Sequence, residues 1–136
     1  MANMKIQEIE GIGAVLGEKF EGAGVKDTDG LLEKGRTRSG RKALAEATGL
    51  SESRILTFVN MADLFRISGV AGEYAELLVA AGVDTVKELK TRNAANLAEK
   101  LAEVNAEKKL TRKVPSAKTV EGWVAQAAEL PGVIEH

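Results

Sequence analysis

The stretch "IEGIGAVLGEKFEGAGV", Ile9–Val25, sets two glycines around one isoleucine and ends on a glycine followed by valine. Between these ends Leu16, Phe20 and Ala23 recur at i, i+4 and i+7, the spacing that lines one face of an α-helix. Gly24 falls just past the periodic run, where a left-handed residue commonly stops a helix. The stretch therefore predicts a tight glycine corner, an amphipathic helix and a glycine stop, in that order.

The same text is written twice. "ISGVAGEYAELLVAAGV", Ile67–Val83, repeats it 58 positions on, so that Gly11 falls on Gly69, Ile12 on Val70, Leu16 on Tyr74, Phe20 on Leu78 and Gly24 on Gly82. Further along, "SESRILTFVNMA" aligns with "SAKTVEGWVAQA" at an offset of 65, placing Phe58 on Trp123. The second copy thus carries extra residues around "EKKLTRKV". Ser51 and Ser116 are positioned as N-caps of the last helix in each copy. Thr85 with Glu88 has capping-box spacing, with Thr28 and Leu31 as the first-copy counterpart. Gly49 is placed to end the helix carrying Leu44. No period-two alternation appears. The reading is an all-α protein of two tandem units, 1–64 and 65–136, joined in one compact pseudo-two-fold domain. A further expectation is that the final helix, Ser116 to about Leu130, packs beside the first glycine corner, as the Ser51 helix packs beside the second.

Composition agrees with packed helices. Only 4% of the 136 residues are aromatic and two are proline, so the core must rest on Leu, Ile, Val and Ala. Nineteen basic against twenty acidic side chains leave a net charge of −1, which gives no global basic excess of the kind nucleic-acid binders often show. There is no cysteine, and the single histidine is the last residue, His136. Disulfides, thiolate metal sites and thiol chemistry are excluded together, and no internal histidine offers a general base. Neither a nucleotide-binding glycine loop nor an acidic calcium loop is present. The expectation is a protein that is not an enzyme and needs no cofactor or metal. With no apolar run of membrane-spanning length and no apolar core at the N-terminus, the expected location is cytoplasmic, with no membrane partner.

With Gly11-Ile12-Gly13 followed by Leu16, Phe20, Gly24 and Val25, the pattern resembles the helix-hairpin-helix motif. The paired units and the "FVNMADLFRISGV" connector resemble a bacterial family of paired helix-hairpin-helix proteins catalogued as a domain of unknown function. That resemblance implies a helical fold and no established activity. The motif itself commonly grips DNA phosphates, without reading sequence, through amides at the start of its second helix, a natural anion site. Carried over by residue, Gly11, Ile12 and Gly13 match fully; Gly69 and Val70 match, while Ala71 replaces the second glycine and keeps its N–H. Glu10, Glu18, Glu73 and Glu76 lie near these helix starts and would repel a phosphate.

Two basic runs stand apart from the motif. "GRTRSGRK" holds Arg36, Arg38, Arg41 and Lys42; "EKKLTRK" holds Lys108, Lys109, Arg112 and Lys113. Each could neutralise phosphates or lie on a solvated surface. They occupy different places in the two copies, and the first run is the surface candidate of the two. Trp123 and Tyr74 read as core residues from their alignment with Phe58 and Leu16. Two functions stay open: sequence-independent DNA binding through the hairpin amides, with Arg36, Arg38, Arg41 and Lys42 as auxiliary contacts, or a scaffold docking an acidic or other protein partner.

Overall fold

Short polar side chains open the helices where the sequence places them. Ser51 Oγ accepts from the Arg54 amide and Ser116 Oγ from the Thr119 amide, each at 3.1 Å, which satisfies a donor that has no partner inside the helix. The computed structural model describes residues 3–9, 11–70 and 72–135. After a 3₁₀ turn at Ile6–Glu8 come α1 (Gly13–Gly22), α2 (Thr28–Gly35), α3 (Arg38–Thr48) and α4 (Glu52–Leu64). Then follow α5 (Gly72–Ala80), α6 (Val86–Leu89), α7 (Ala94–Lys108) and α8 (Ala117–Ala128). No strand occurs among the described residues; Lys5 and Asp27 form one isolated bridge. The protein is an all-helical, compact domain.

One cap differs from its expected place. Asp27, not Thr28, caps α2, its Oδ1 accepting from the Gly30 amide at 2.7 Å. Thr28 is buried instead, and its Oγ1 accepts from the Met4 amide. Asp27 is the residue 58 positions before Thr85, whose Oγ1 accepts from Glu88 N. Gly49 ends α3 in the left-handed region at φ +79°.

Both glycine corners are tied by the same backbone bonds. Ile12 N donates to Ile9 O and Val70 N to Ile67 O, both at 3.1 Å. Past the helices, Val25 N donates to Phe20 O and Val83 N to Leu78 O, both at 2.8 Å. One bond is made differently in the two halves. The Thr28 amide donates to Met4 O, whereas 58 positions on the Val86 amide donates to the Asp63 carboxylate, each at 2.8 Å. The extended chain before the first corner supplies a carbonyl there. Before the second corner that place is taken by the end of α4, and a side chain supplies the acceptor.

α4 is the centre of the core. Every residue from Phe58 to Leu64 is buried, so this half of the helix is enclosed on all sides rather than amphipathic. α2 crosses it at Gly35, where an added Cβ would run into the Val59 side chain. Gly35→Ala is expected to cost about 1–3 kcal/mol, because a packed interior accommodates an extra carbon only by shifting its neighbours. A urea melt checks this.

The last helix is not where pseudo-symmetry places it. α8 packs on α7 and α6, and its Trp123 Nε1 would lie 3.2 Å from a Cβ on Gly69, in the second corner. The first corner is covered by α4, with Phe58 Cε1 3.4 Å from a Cβ on Gly11. α4 can serve both corners because its 13 residues span about 20 Å. Its middle covers the first corner and its end leads into the second.

What returns to the first half is the segment after α8. Lys90 Nζ donates to Leu130 O at 2.7 Å and Arg66 Nη2 to Pro131 O at 2.9 Å. Glu135 N then donates to Arg36 O at 2.7 Å. Among the described residues no helix is long and apolar enough to cross a membrane.

Candidate nucleic-acid interface

The two corners are built alike and dressed differently. In the first, Gly11 is exposed at φ +93°, a backbone conformation that side chains rarely adopt. Ile12 is buried beneath it, and exposed Gly13 opens α1 at φ +61°. Glu10 lies outside the described residues. The Phe58 ring sits behind the corner and meets Phe20 edge-on at 6.1 Å. On the Phe58 ring rests the guanidinium of Arg54, 5.6 Å from the centroid. Arg54 is exposed, and through the Phe58 ring it stands next to this corner. It escapes sequence reading because it belongs to neither basic run. Val15, in the first turn of α1, is 70% exposed.

In the second corner Gly69 is exposed at φ +91° and Val70 is buried; Ala71 lies outside the described residues. Gln126 of α8 brackets the corner, its Oε1 accepting from Ser68 N at 2.8 Å and its Nε2 donating to Ser68 O at 3.2 Å. Trp123 lies against Gly69 and stacks at a tilt on Tyr74, with ring centroids 5.4 Å apart. Trp123 is core, in keeping with its alignment with Phe58. Tyr74 is half-buried, and its hydroxyl donates to Lys113 O at 3.1 Å. Glu73, exposed in the first turn of α5, places a carboxylate beside the amides there. That proximity stabilises the helix and opposes an incoming anion.

The first basic run does not gather around the first corner. Arg41 is 5% exposed, with Nη1 donating to Gly35 O at 2.8 Å and Nη2 to Glu135 O at 2.6 Å. It closes the end of α2 and holds the C-terminal segment, so it is buried rather than on the surface where the run is expected to lie. Burial first, and then the charge of Arg38, lower the pKa of its guanidinium from the ordinary value, while Glu135 and Glu52 oppose the shift. A guanidinium stays protonated at neutral pH nonetheless.

Arg38 lines a cavity of about 390 Å³ with Arg41, Glu52, Ser53 and Leu56. On α4 those last three residues face nearly opposite to Arg54 and Phe58, by the helical step of 3.6 residues per turn. The cavity and the first corner therefore lie on different sides of α4. Arg36 lines a separate cavity with Asp29, Glu33 and Arg66. Lys42 is exposed on α3. Carboxylates accompany both Arg36 and Arg38 in these cavities. Arg66, which no motif marks, is committed to Asp63 at 2.8 Å, with side-chain exposures of 8% and 2% for the pair.

Among the described residues no group of His, Cys, Asp and Glu could hold a metal ion. The fold and its exposed surface define an all-helical domain organised around two glycine corners. The chain belongs to the family described as a domain of unknown function (DUF4332), whose model matches residues 10–130. No solved structure matches the chain.

Proposed function

We propose that this protein is a non-catalytic helix-hairpin-helix module that binds the backbone of DNA without reading its sequence. Its contacts are the corners at Gly11, Ile12, Gly13 and at Gly69, Val70, Ala71, where Gly11, Gly13 and Gly69 are exposed, Ile12 and Val70 are the buried plugs, and Ala71 lies outside the described residues. The observation that carries the reading is the pair of exposed glycines at φ +93° and +91°, each turning the chain into a new helix. The first amides of a helix have no acceptor within it and carry the positive end of its dipole, so they suit a phosphate oxygen. A corner stabilised by backbone bonds and an apolar plug presents those amides without reorganisation. Nothing in such a contact depends on base identity.

The test is a fluorescence-anisotropy titration with two duplexes of unrelated sequence. Equal affinities that fall as salt rises are expected; no binding at about 50 mM salt contradicts the reading. Gly72→Pro removes one amide from the first turn of α5, at a position where proline is tolerated, and is expected to weaken binding severalfold. Glu73→Gln removes the competing carboxylate and is expected to strengthen it about two- to fivefold, the equivalent of 0.3–1 kcal/mol at a helix start.

A scaffold role in protein docking has one observation of its own. Val15 is exposed beside Gly11 and Gly13, and 58 positions on Glu73 stands in the corresponding place. A protein recovered in a pull-down under nuclease treatment, and no longer recovered with Val15→Lys, would favour docking at the first corner.

A further inference from the structure

The second basic run ends up in a place its sequence position does not suggest. Residues 108–118 carry Lys108, Lys109, Arg112, Lys113 and Lys118 and no carboxylate, and all five cations are exposed. The backbone beneath them is held firmly. Lys109 ends α7 in the left-handed region at φ +51°, the only non-glycine among the described residues with a positive φ. Buried Asn105 grips Thr111 twice, Nδ2 donating to Thr111 O at 3.1 Å and Oδ1 accepting from Thr111 N at 2.9 Å. Thr111 Oγ1 donates to Lys113 O at 3.1 Å, and Pro115 is buried.

The same Lys113 carbonyl accepts from Tyr74 Oη. Tyr74 belongs to the first turn of α5, and helical side chains lean toward the N-terminus. Its ring stacks on Trp123, which lies against Gly69. One continuous set of contacts thus joins the cationic loop to the second glycine corner and to the start of α5.

We infer that residues 108–118 and the first turn of α5 form one phosphate-binding surface, and that its ligand is the backbone of a nucleic-acid duplex. This deepens the function proposed above and rests on it. A loop whose backbone is fixed before binding loses less freedom when it meets a row of phosphates. Single strands are held mainly by bases stacking on exposed aromatic faces. Here Phe20, Phe58, Phe65 and Trp123 are buried, and Tyr74 is half-buried with its ring against Trp123. The surface offers charge and amides without a stacking platform, which matches the regular phosphate row of a duplex. Carboxylates flank it in the chain at Glu73, Glu107 and Glu121, all exposed, and at half-buried Glu76.

The experiment uses the full chain and a labelled duplex of about two helical turns, titrated at several salt concentrations from about 50 mM upward. Replacing Lys108, Lys109, Arg112 and Lys113 by Gln is expected to lower affinity at least tenfold. It should also flatten the plot of log K against log salt by about 3–4, at roughly 0.9 for each phosphate no longer neutralised. Replacing Arg36, Arg38 and Lys42 by Gln is expected to change affinity less than twofold and to leave the slope as it was. Tyr74→Phe keeps the ring and drops the bond to Lys113; it is expected to weaken binding about threefold while the helical signal and urea midpoint stay close to those of the unaltered chain.

A folded quadruple variant that binds with unchanged affinity and slope overturns the inference. If Gly72→Pro still weakens binding in that case, the corner reading survives alone. A single strand of equal length bound as tightly as the duplex overturns the choice of ligand. An unaltered chain that binds no duplex at low salt removes both readings together.

Discussion

Asp63→Ala is expected to lower the free energy of unfolding by about 3–5 kcal/mol, the usual cost of removing one partner from a buried ion pair. Asp63 is 1% exposed and answers two donors at once. Its Oδ1 accepts from Arg66 Nη1 and its Oδ2 from the Val86 amide, both at 2.8 Å. Alanine would leave a largely buried guanidinium without its counter-charge and a buried amide without its acceptor. Each loss carries the full cost of having taken that group out of water. For a chain of this size the melting temperature should fall by about 10–20 °C. Asp63→Asn keeps an acceptor for the Val86 amide and should lose roughly half as much. Urea unfolding of both variants at one pH reads the difference, and a loss below about 1 kcal/mol for alanine would show the pair to be solvated.

Trp123→Ala is expected to cost about 3–5 kcal/mol, as large aromatic truncations in cores do. The side chain is 2% exposed and fills the space between Gly69 and Tyr74. Its loss should act twice. The cavity lowers stability, and the unsupported Tyr74 ring no longer fixes the hydroxyl that holds Lys113 O. Phe58→Ala is the internal comparison. It opens a similar cavity behind the first corner, where Phe58 meets Phe20 and Gly11, but touches nothing that supports residues 108–118. Both variants should therefore be destabilised alike, while in conditions where each remains folded only the tryptophan variant should lose much affinity for duplex. Circular dichroism melts paired with anisotropy titrations separate the two effects.

Local features were legible in the sequence because they are decided by neighbouring residues. Gly11 and Gly69 mark positive φ, Ser51 and Ser116 mark helix starts, and the i, i+4, i+7 spacing of Leu16, Phe20 and Ala23 gives the buried face of α1. These depend on chain geometry within a turn or two. The path of α8 was not legible, because pseudo-symmetry does not say which corner a helix covers. α4 is long enough to cover the first corner and lead into the second, which leaves Gly69 for Trp123.

The basic runs show the same limit from another side. Arg36–Lys42 reads as a surface run, yet Arg41 is drawn inside by a carbonyl 94 positions away, at Glu135. Residues 108–113 read as an insertion. Asn105 and Tyr74 fix that insertion by hydrogen bonds to Thr111 and Lys113 that no periodicity signals.

The central claim is that duplex phosphates meet the glycine corners and residues 108–118, and a ¹⁵N-labelled chain titrated with duplex at low salt tests it most directly. Amide shifts should concentrate at residues 11–15, 69–74 and 108–118, strongest in the last two groups, and fade as salt is added. Shifts confined to residues 36–42, or none at all at low salt, would contradict it.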